Sequence, residues 1–272
     1  MLDDHGGLLV GSVLRAHAVN FLFGLCGGHI SPILIGAKAK GIRVVDVRHE
    51  ATAVYAADAV ARLTGIPGVA VVTAGPGLTN TITAVKNAQL ARSPVLVLAG
   101  ATATLLKDKG SLQDIDQLAL MKPHVKWHAS LKTVREIVPV LNTAFARARS
   151  GIPGPVFIEI PLDLQYPEDA VRELYASGLG NPKSLAGRLQ RRYVAWHLNK
   201  LFAGKDLQRE TTPRPPTHPR HTALQVAKAA RIIAKAERPV LIAGSGAMML
   251  PAEVKSLRQA VEAMGIPTYL SG

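Results

Sequence analysis

From Gly6 to about Tyr166, short β-branched runs alternate with longer stretches of helical period, and this alternation constrains the fold more than anything else in the chain. Apolar runs of this kind separated by amphipathic helices belong to parallel strands covered on both faces. The spacing predicts strands at Asn20–Leu25, Ile42–Val47, Val69–Ala74, Pro94–Ala99, Val125–Ala129 and Pro155–Ile160. Helices fall between them, at about Leu8–Ala18, Ser31–Lys40, Glu50–Leu63, Leu78–Ala91 and Val134–Arg149. Six strands with intervening helices make a doubly wound α/β domain, assigned to residues 1–167.

After Asp163 the alternation breaks. Residues 168–221 hold a basic stretch and then Pro213, Pro215, Pro216 and Pro219, and read as an interdomain linker. Regular structure resumes with a helix at about Ala223–Ala236, a strand at Val240–Ala243, a helix at Ala252–Met264 and a strand at Thr268–Leu270. Two alternations are too few for a free-standing sheet, so 222–272 reads as the truncated start of a second α/β domain.

The net charge of +13 would ordinarily suggest nucleic acid or an anionic surface as partner. Between Asn181 and His221, however, nine Lys or Arg stand against Asp206 and Glu210, which concentrates a net +7 in one segment. No nucleic-acid motif accompanies it. Residues 185–207 can be drawn as an amphipathic helix, with Leu185, Leu189, Tyr193, Trp196 and Phe202 near one side and Arg188, Arg191, Arg192 and Lys200 elsewhere. Such a helix either packs across its own domains or makes a peripheral membrane contact. The single Cys26 excludes an internal disulfide, no metal-ligand spacing is present, and no apolar run reaches membrane-spanning length. The start, with Asp3 and Asp4, is no signal sequence.

In an open parallel sheet reactive groups sit beyond the carboxyl ends of the strands. Three loops there carry unusual residues: Gly24-Leu25-Cys26-Gly27-Gly28-His29, Arg48-His49-Glu50, and Ala74-Gly75-Pro76-Gly77-Leu78-Thr79-Asn80. On spacing alone Glu50 is a helix-start glutamate favoured by the macrodipole, and the Gly-Pro-Gly stretch is a tight strand-to-helix turn. Gly244-Ser245-Gly246 invites a dinucleotide reading but lacks the third glycine of that fingerprint.

Taken together with Ser93-Pro94-Val95-Leu96 and Gly154-Pro155-Val156, these motifs resemble the pyrimidine-binding domain of thiamine-diphosphate-dependent enzymes of the acetolactate synthase, benzaldehyde lyase and 2-hydroxyacyl-CoA lyase family. Gly28-His29-Ile30, where acetolactate synthases usually have Pro-Gly-Gly, brings the chain nearer to the lyase members. The resemblance implies that Glu50 binds the cofactor's aminopyrimidine and favours its imino tautomer, the step that makes the thiazolium C2 carbon a nucleophile. It places Gly75, Pro76, Gly77 and Asn80 against the same ring, and His29 and Gln113 on the substrate side. His29 and Gln113 can equally be an ordinary loop histidine and a surface glutamine.

The implied cofactor is thiamine diphosphate with Mg. Its diphosphate and metal signature, Gly-Asp-Gly followed by Asn, does not occur in this chain. Some members of the family hold FAD, which no residue here supports. The implied reaction is cleavage of a 2-hydroxyacyl-CoA to formyl-CoA and a shortened aldehyde, as in fatty acid α-oxidation. The alternatives are acetolactate-type acyl transfer on 2-keto acids, or a catalytically silent chain that pairs with full-length subunits. The resemblance implies a homo-oligomer formed through the pyrimidine domain. It also implies the endoplasmic reticulum, or the cytoplasm for a chain without the amino-terminal anchor.

Overall fold

A computed structural model describes residues 5–179, 184–204, 212–217, 221–248 and 250–271. The elements run in chain order as α1 (Gly6–Ala16), β1 (Phe21–Gly24), α2 (Ser31–Ala39), β2 (Arg43–Asp46), α3 (Glu50–Thr64), β3 (Gly68–Val72), α4 (Pro76–Thr79), α5 (Ile82–Leu90), β4 (Val95–Ala101), α6 (Gln117–Met121), β5 (Trp127–Ser130), α7 (Ile137–Arg149) and β6 (Val156–Pro161). Then follow α8 (Glu168–Gly178), α9 (Leu185–Phe202), α10 (Ala223–Lys235), β7 (Leu241–Gly244), α11 (Val254–Met264) and β8 (Thr268–Ser271).

The first six strands form one all-parallel sheet in the order β2-β1-β3-β4-β6-β5, as the alternation predicts. Alternate residues of each strand face opposite layers. Val69, Val71, Leu96, Leu98, Val156 and Ile158 pack with α1, α2 and α7. Ala70, Val72, Val95, Val97, Ala99 and Phe157 pack with α3, α5 and α6. Strands buried on both faces cannot alternate apolar with polar, which is why their sequences are nearly continuous Val, Leu and Ala.

Two local departures have plain causes. The single helix expected over Leu78–Ala91 is two, α4 and α5, with Thr81 between them; its hydroxyl donates to the Leu78 carbonyl at 2.7 Å. Such a side-chain bond competes with the helix ladder. The loop after β4 also gains the short α6, whose start Asp116 caps by accepting from the Ala119 amide at 2.9 Å.

The stretch 168–221 opens with two helices. Val171 of α8 and Val194, Leu198, Leu201 and Phe202 of α9 are buried in the same core as α1 and α7. Arg172 ties the pair, donating to Glu168 and to Asn199. The amphipathic residues 205–207, and Pro219 of the proline-rich run, lie outside the described residues. Farther on, β7 and β8 form a two-stranded parallel sheet whose residues, like those of α10 and α11, are not buried.

The described residues have no helix long and apolar enough to cross a membrane.

His17 closes the end of α1 by stacking on Phe145 of α7, centroids 3.9 Å apart, with Nε2 2.8 Å from Asn142 Oδ1. Burial pushes its pKa below the ordinary 6.5; the Asn142 contact opposes this and the Arg149 charge reinforces it. His29 and His197 are lowered in the same direction, also by burial first. Each such imidazole is protonated more readily in the unfolded chain, so its contribution to stability is lost as pH falls below about 6.5. The unfolding free energy measured in urea is therefore expected to fall between about pH 7 and pH 5, and His17→Gln to shrink that fall.

Candidate active site

The chain visits β1, crosses outward to β2, then returns to place β3 on the other side of β1. That reversal parts the connecting loops and opens a crevice beyond the carboxyl ends of β1 and β3, where ligands bind in doubly wound folds. The β1 loop supplies His29 and the β3 loop supplies Thr73 and Gly75–Asn80. His29 Nδ1 lies 3.2 Å from Thr73 Oγ1, so the two loops touch across the crevice.

Glu50 is the first residue of α3, whose preceding His49 caps the helix through Nδ1 and the Ala51 amide. The helix N-terminus favours a carboxylate there. The side chain is only 6% exposed. Among the described residues its Oε2 accepts one side-chain hydrogen bond, from Asn80 Nδ2 at 2.9 Å, and Oε1 accepts none. Oε1 faces Gly77, where a Cβ would stand 3.5 Å from it and 2.6 Å from Thr73 Cγ2. A side chain at 77 would fill the space in front of the carboxyl.

Gly75 adopts φ +62°, a conformation that an L side chain resists. A Cβ there would also lie 2.9 Å from the Gln113 carbonyl oxygen, so the β3 loop and the loop after β4 meet at this residue. Gln113 itself holds φ +63°. A non-glycine residue kept in that region costs on the order of 1 kcal/mol or more, and such strain concentrates at functional sites. Gln113 contacts the His29 side chain, which partly offsets the lowering that burial imposes on the imidazole. His29 is thus held neutral at physiological pH, able to accept or donate a proton. Its carbonyl takes a 2.8 Å bond from Gln165 Nε2, and Gly100 of β4 leaves room for it: a Cβ there would fall 2.2 Å from that oxygen.

The structure therefore brings Glu50, Gly75, Pro76, Gly77, Asn80, His29 and Gln113 to one edge of the sheet. It adds residues that the sequence reading did not single out. Glu159, 1% exposed, accepts from Lys107 Nζ, Ser130 Oγ and Gln117 Nε2 at 2.8–2.9 Å. Gln117 passes this on, since its Oε1 takes the Gly75 amide at 3.3 Å and its Nε2 also reaches the Gly100 carbonyl at 3.1 Å. The signal for Glu159 was present: it is a lone charge in the buried run Val156-Phe157-Ile158-Glu159-Ile160. Gln117 had none, because nothing local marks a loop glutamine as buried. Among the described residues no group of three His, Cys, Asp or Glu side chains could hold a metal ion.

Residues 5–120 match the sequence family described as the thiamine pyrophosphate enzyme N-terminal TPP binding domain. The chain carries that domain. It is 53% identical over 268 residues to a Danio rerio protein named 2-hydroxyacyl-CoA lyase 2, covering 98% of this chain and 43% of the relative. The human protein of that name is 50% identical over the same share of this chain and 42% of its own length. A probable acetolactate synthase from Mycobacterium bovis is 33% identical over 268 residues, 43% of its length. The chain thus spans less than half the length of the curated relatives it matches. The matched residues include His29, Glu50, Gly75–Asn80, Gln113 and Gln117.

Replacing Gln117 with Leu would strip the buried Gly75 amide and Glu159 Oε2 of a partner. The expected loss is about 3 kcal/mol in urea unfolding. Gln117→Glu should cost more, because it sets a second carboxylate beside Glu159.

Proposed function

We propose that the chain is the cofactor-activating portion of a thiamine-diphosphate-dependent lyase that cleaves a 2-hydroxyacyl-CoA to formyl-CoA and an aldehyde one carbon shorter. The observation that carries this reading is the buried Glu50 carboxyl, fixed by Asn80 through one oxygen while the other, beside Gly77, accepts no hydrogen bond among the described residues. The choice of lyase over acetolactate-type chemistry rests on the 53% identity to a protein named 2-hydroxyacyl-CoA lyase 2, against 33% to a probable acetolactate synthase.

When bound, the cofactor supplies the nucleophilic carbon that attacks the substrate carbonyl. The residues present fit its pyrimidine end. Gly77 puts no side chain beside Glu50 Oε1, and Gly75, at φ +62°, turns the backbone so that Gln113 seats against it. Glu50 would hold the proton exchanged with the ring nitrogen, and Asn80 keeps the carboxyl in place through its 2.9 Å hydrogen bond. His29, beside Gln113, would take the proton of a substrate hydroxyl, and the Gln113 amide would donate to a developing oxyanion. Magnesium and the diphosphate would be held by residues outside this chain, across a subunit interface.

In the full-length protein, Glu50→Gln is expected to slow deuterium exchange at the cofactor's C2 carbon by about 100-fold or more with the fold intact. An unchanged exchange rate would remove Glu50 from the role. The 272-residue chain by itself should bind thiamine diphosphate with magnesium no more tightly than about 1 mM, because the charged diphosphate supplies most of the binding free energy. Calorimetry showing micromolar, magnesium-dependent binding would place a diphosphate site within the chain.

A further inference from the structure

The helix α9 has two apolar faces. Val194, Leu198 and Leu201 lie on one side, buried against the core of the first sheet. On the opposite side the 3.6-residue period aligns Leu185, Leu189, Tyr193 and Trp196 in a single stripe. These four are 67%, 59%, 54% and 57% exposed, although their side chains are large and apolar. The stripe does not end at the helix, because Tyr193 also borders an apolar cavity of about 740 Å³ between α8, α9 and the loop after β4. Leu105, Leu106, Val171 and Leu174 line that cavity, and Leu174 is itself 69% exposed.

Within α9 itself the charge is of one sign. Leu185–Phe202 contains Arg188, Arg191, Arg192 and Lys200 and no acidic residue. The period sets Lys200 within the stripe and Arg192 at its edge, with Arg188 close by and Arg191 turned toward the core side. Lys200 Nζ sits 5.6 Å from the Trp196 ring centroid, and the Tyr193 and Trp196 rings are 6.0 Å apart.

We propose that this outer face of α9 is a docking surface for an anionic lipid bilayer. Trp and Tyr favour the headgroup boundary, where the ring is apolar and its polar atom stays wet. Lys and Arg beside them extend toward lipid phosphates while their stems cover apolar surface. Such cations are drawn to an anionic leaflet, so Arg188, Arg192 and Lys200 act in the same direction as the stripe. A second copy of the chain fits the face less well, since two such surfaces would bring three cations against three. The helix is held on the core by its buried side, so the outer face reaches a membrane without any unfolding, and the apolar cavity beside it then opens at the lipid boundary.

The test uses the 272-residue chain and extruded vesicles, one set of phosphatidylcholine alone and one containing about 30% phosphatidylserine. Co-sedimentation and Trp fluorescence are the readouts; the chain has two tryptophans, Trp127 and the exposed Trp196. Binding to the phosphatidylserine vesicles is expected to be at least tenfold tighter than to phosphatidylcholine and to weaken with salt, with a blue shift that Trp196→Gln removes. The doubly substituted R188E/R192E chain, altered only at exposed positions, should lose at least tenfold in affinity while keeping its circular dichroism and urea midpoint. Equal partition into both vesicle types, no sedimentation with either, or a blue shift untouched by Trp196→Gln would overturn the proposal. So would concentration-dependent dimerisation abolished by Trp196→Gln, which would make the face an interface between copies.

Discussion

A parallel strand pair cannot be closed by a tight turn, and each crossover must climb back over the sheet before the next strand begins. In this chain that constraint is used twice around β1, outward to β2 and back to β3, and everything at the candidate site depends on the result. Because the two crossovers lie on opposite faces, the loops leaving β1 and β3 part and leave a crevice between them. The four central strands, β1, β3, β4 and β6, are apolar apart from Glu159, so the polar chemistry is gathered at the carboxyl edge.

That exception ties the edge together. A carboxylate 1% exposed in a β-strand demands donors, and Lys107 from the loop after β4, Gln117 at the start of α6 and Ser130 at the end of β5 provide them. Gln117 spends its remaining capacity on the Gly75 amide and the Gly100 carbonyl, the two glycines that let the β3 turn and the His29 loop sit as close as they do. Burial of one charge thus becomes positional order for a turn that lies against Glu50's open oxygen. Low dielectric makes such a network costly to leave half made, which is a reason for it to be rigid.

The α8–α9 pair is a contrasting construction. Its inner residues complete the core above α1 and α7, while its outer residues leave apolar area and positive charge exposed. A helix serving only to join domains has no need of Leu185, Leu189, Tyr193 and Trp196 in register on the side away from the core. The combination of a buried face and an unburied one separates this helix from α10 and α11, whose apolar residues are exposed beside a sheet of only two strands.

The sequence by itself determined the layered α/β architecture. Strand burial on both faces forces runs such as Val69–Val72 and Val95–Ala99 to be apolar throughout, and helices between them keep a 3.6-residue period, so both periods are written locally. It also marked the strand-end segments that carry His29, Glu50 and the Gly75–Asn80 turn, while Gln113 came only from the family resemblance. Only the tertiary structure decided which of them meet. The Glu50–Asn80 bond, the His29–Thr73 contact and the seating of Gln113 against Gly75 join residues 30 or more positions apart, and depend on strand order, which the period of a segment does not encode. Gln117 entered the site for the same reason: a glutamine becomes a structural link only once a buried carboxylate 42 residues away needs its amide.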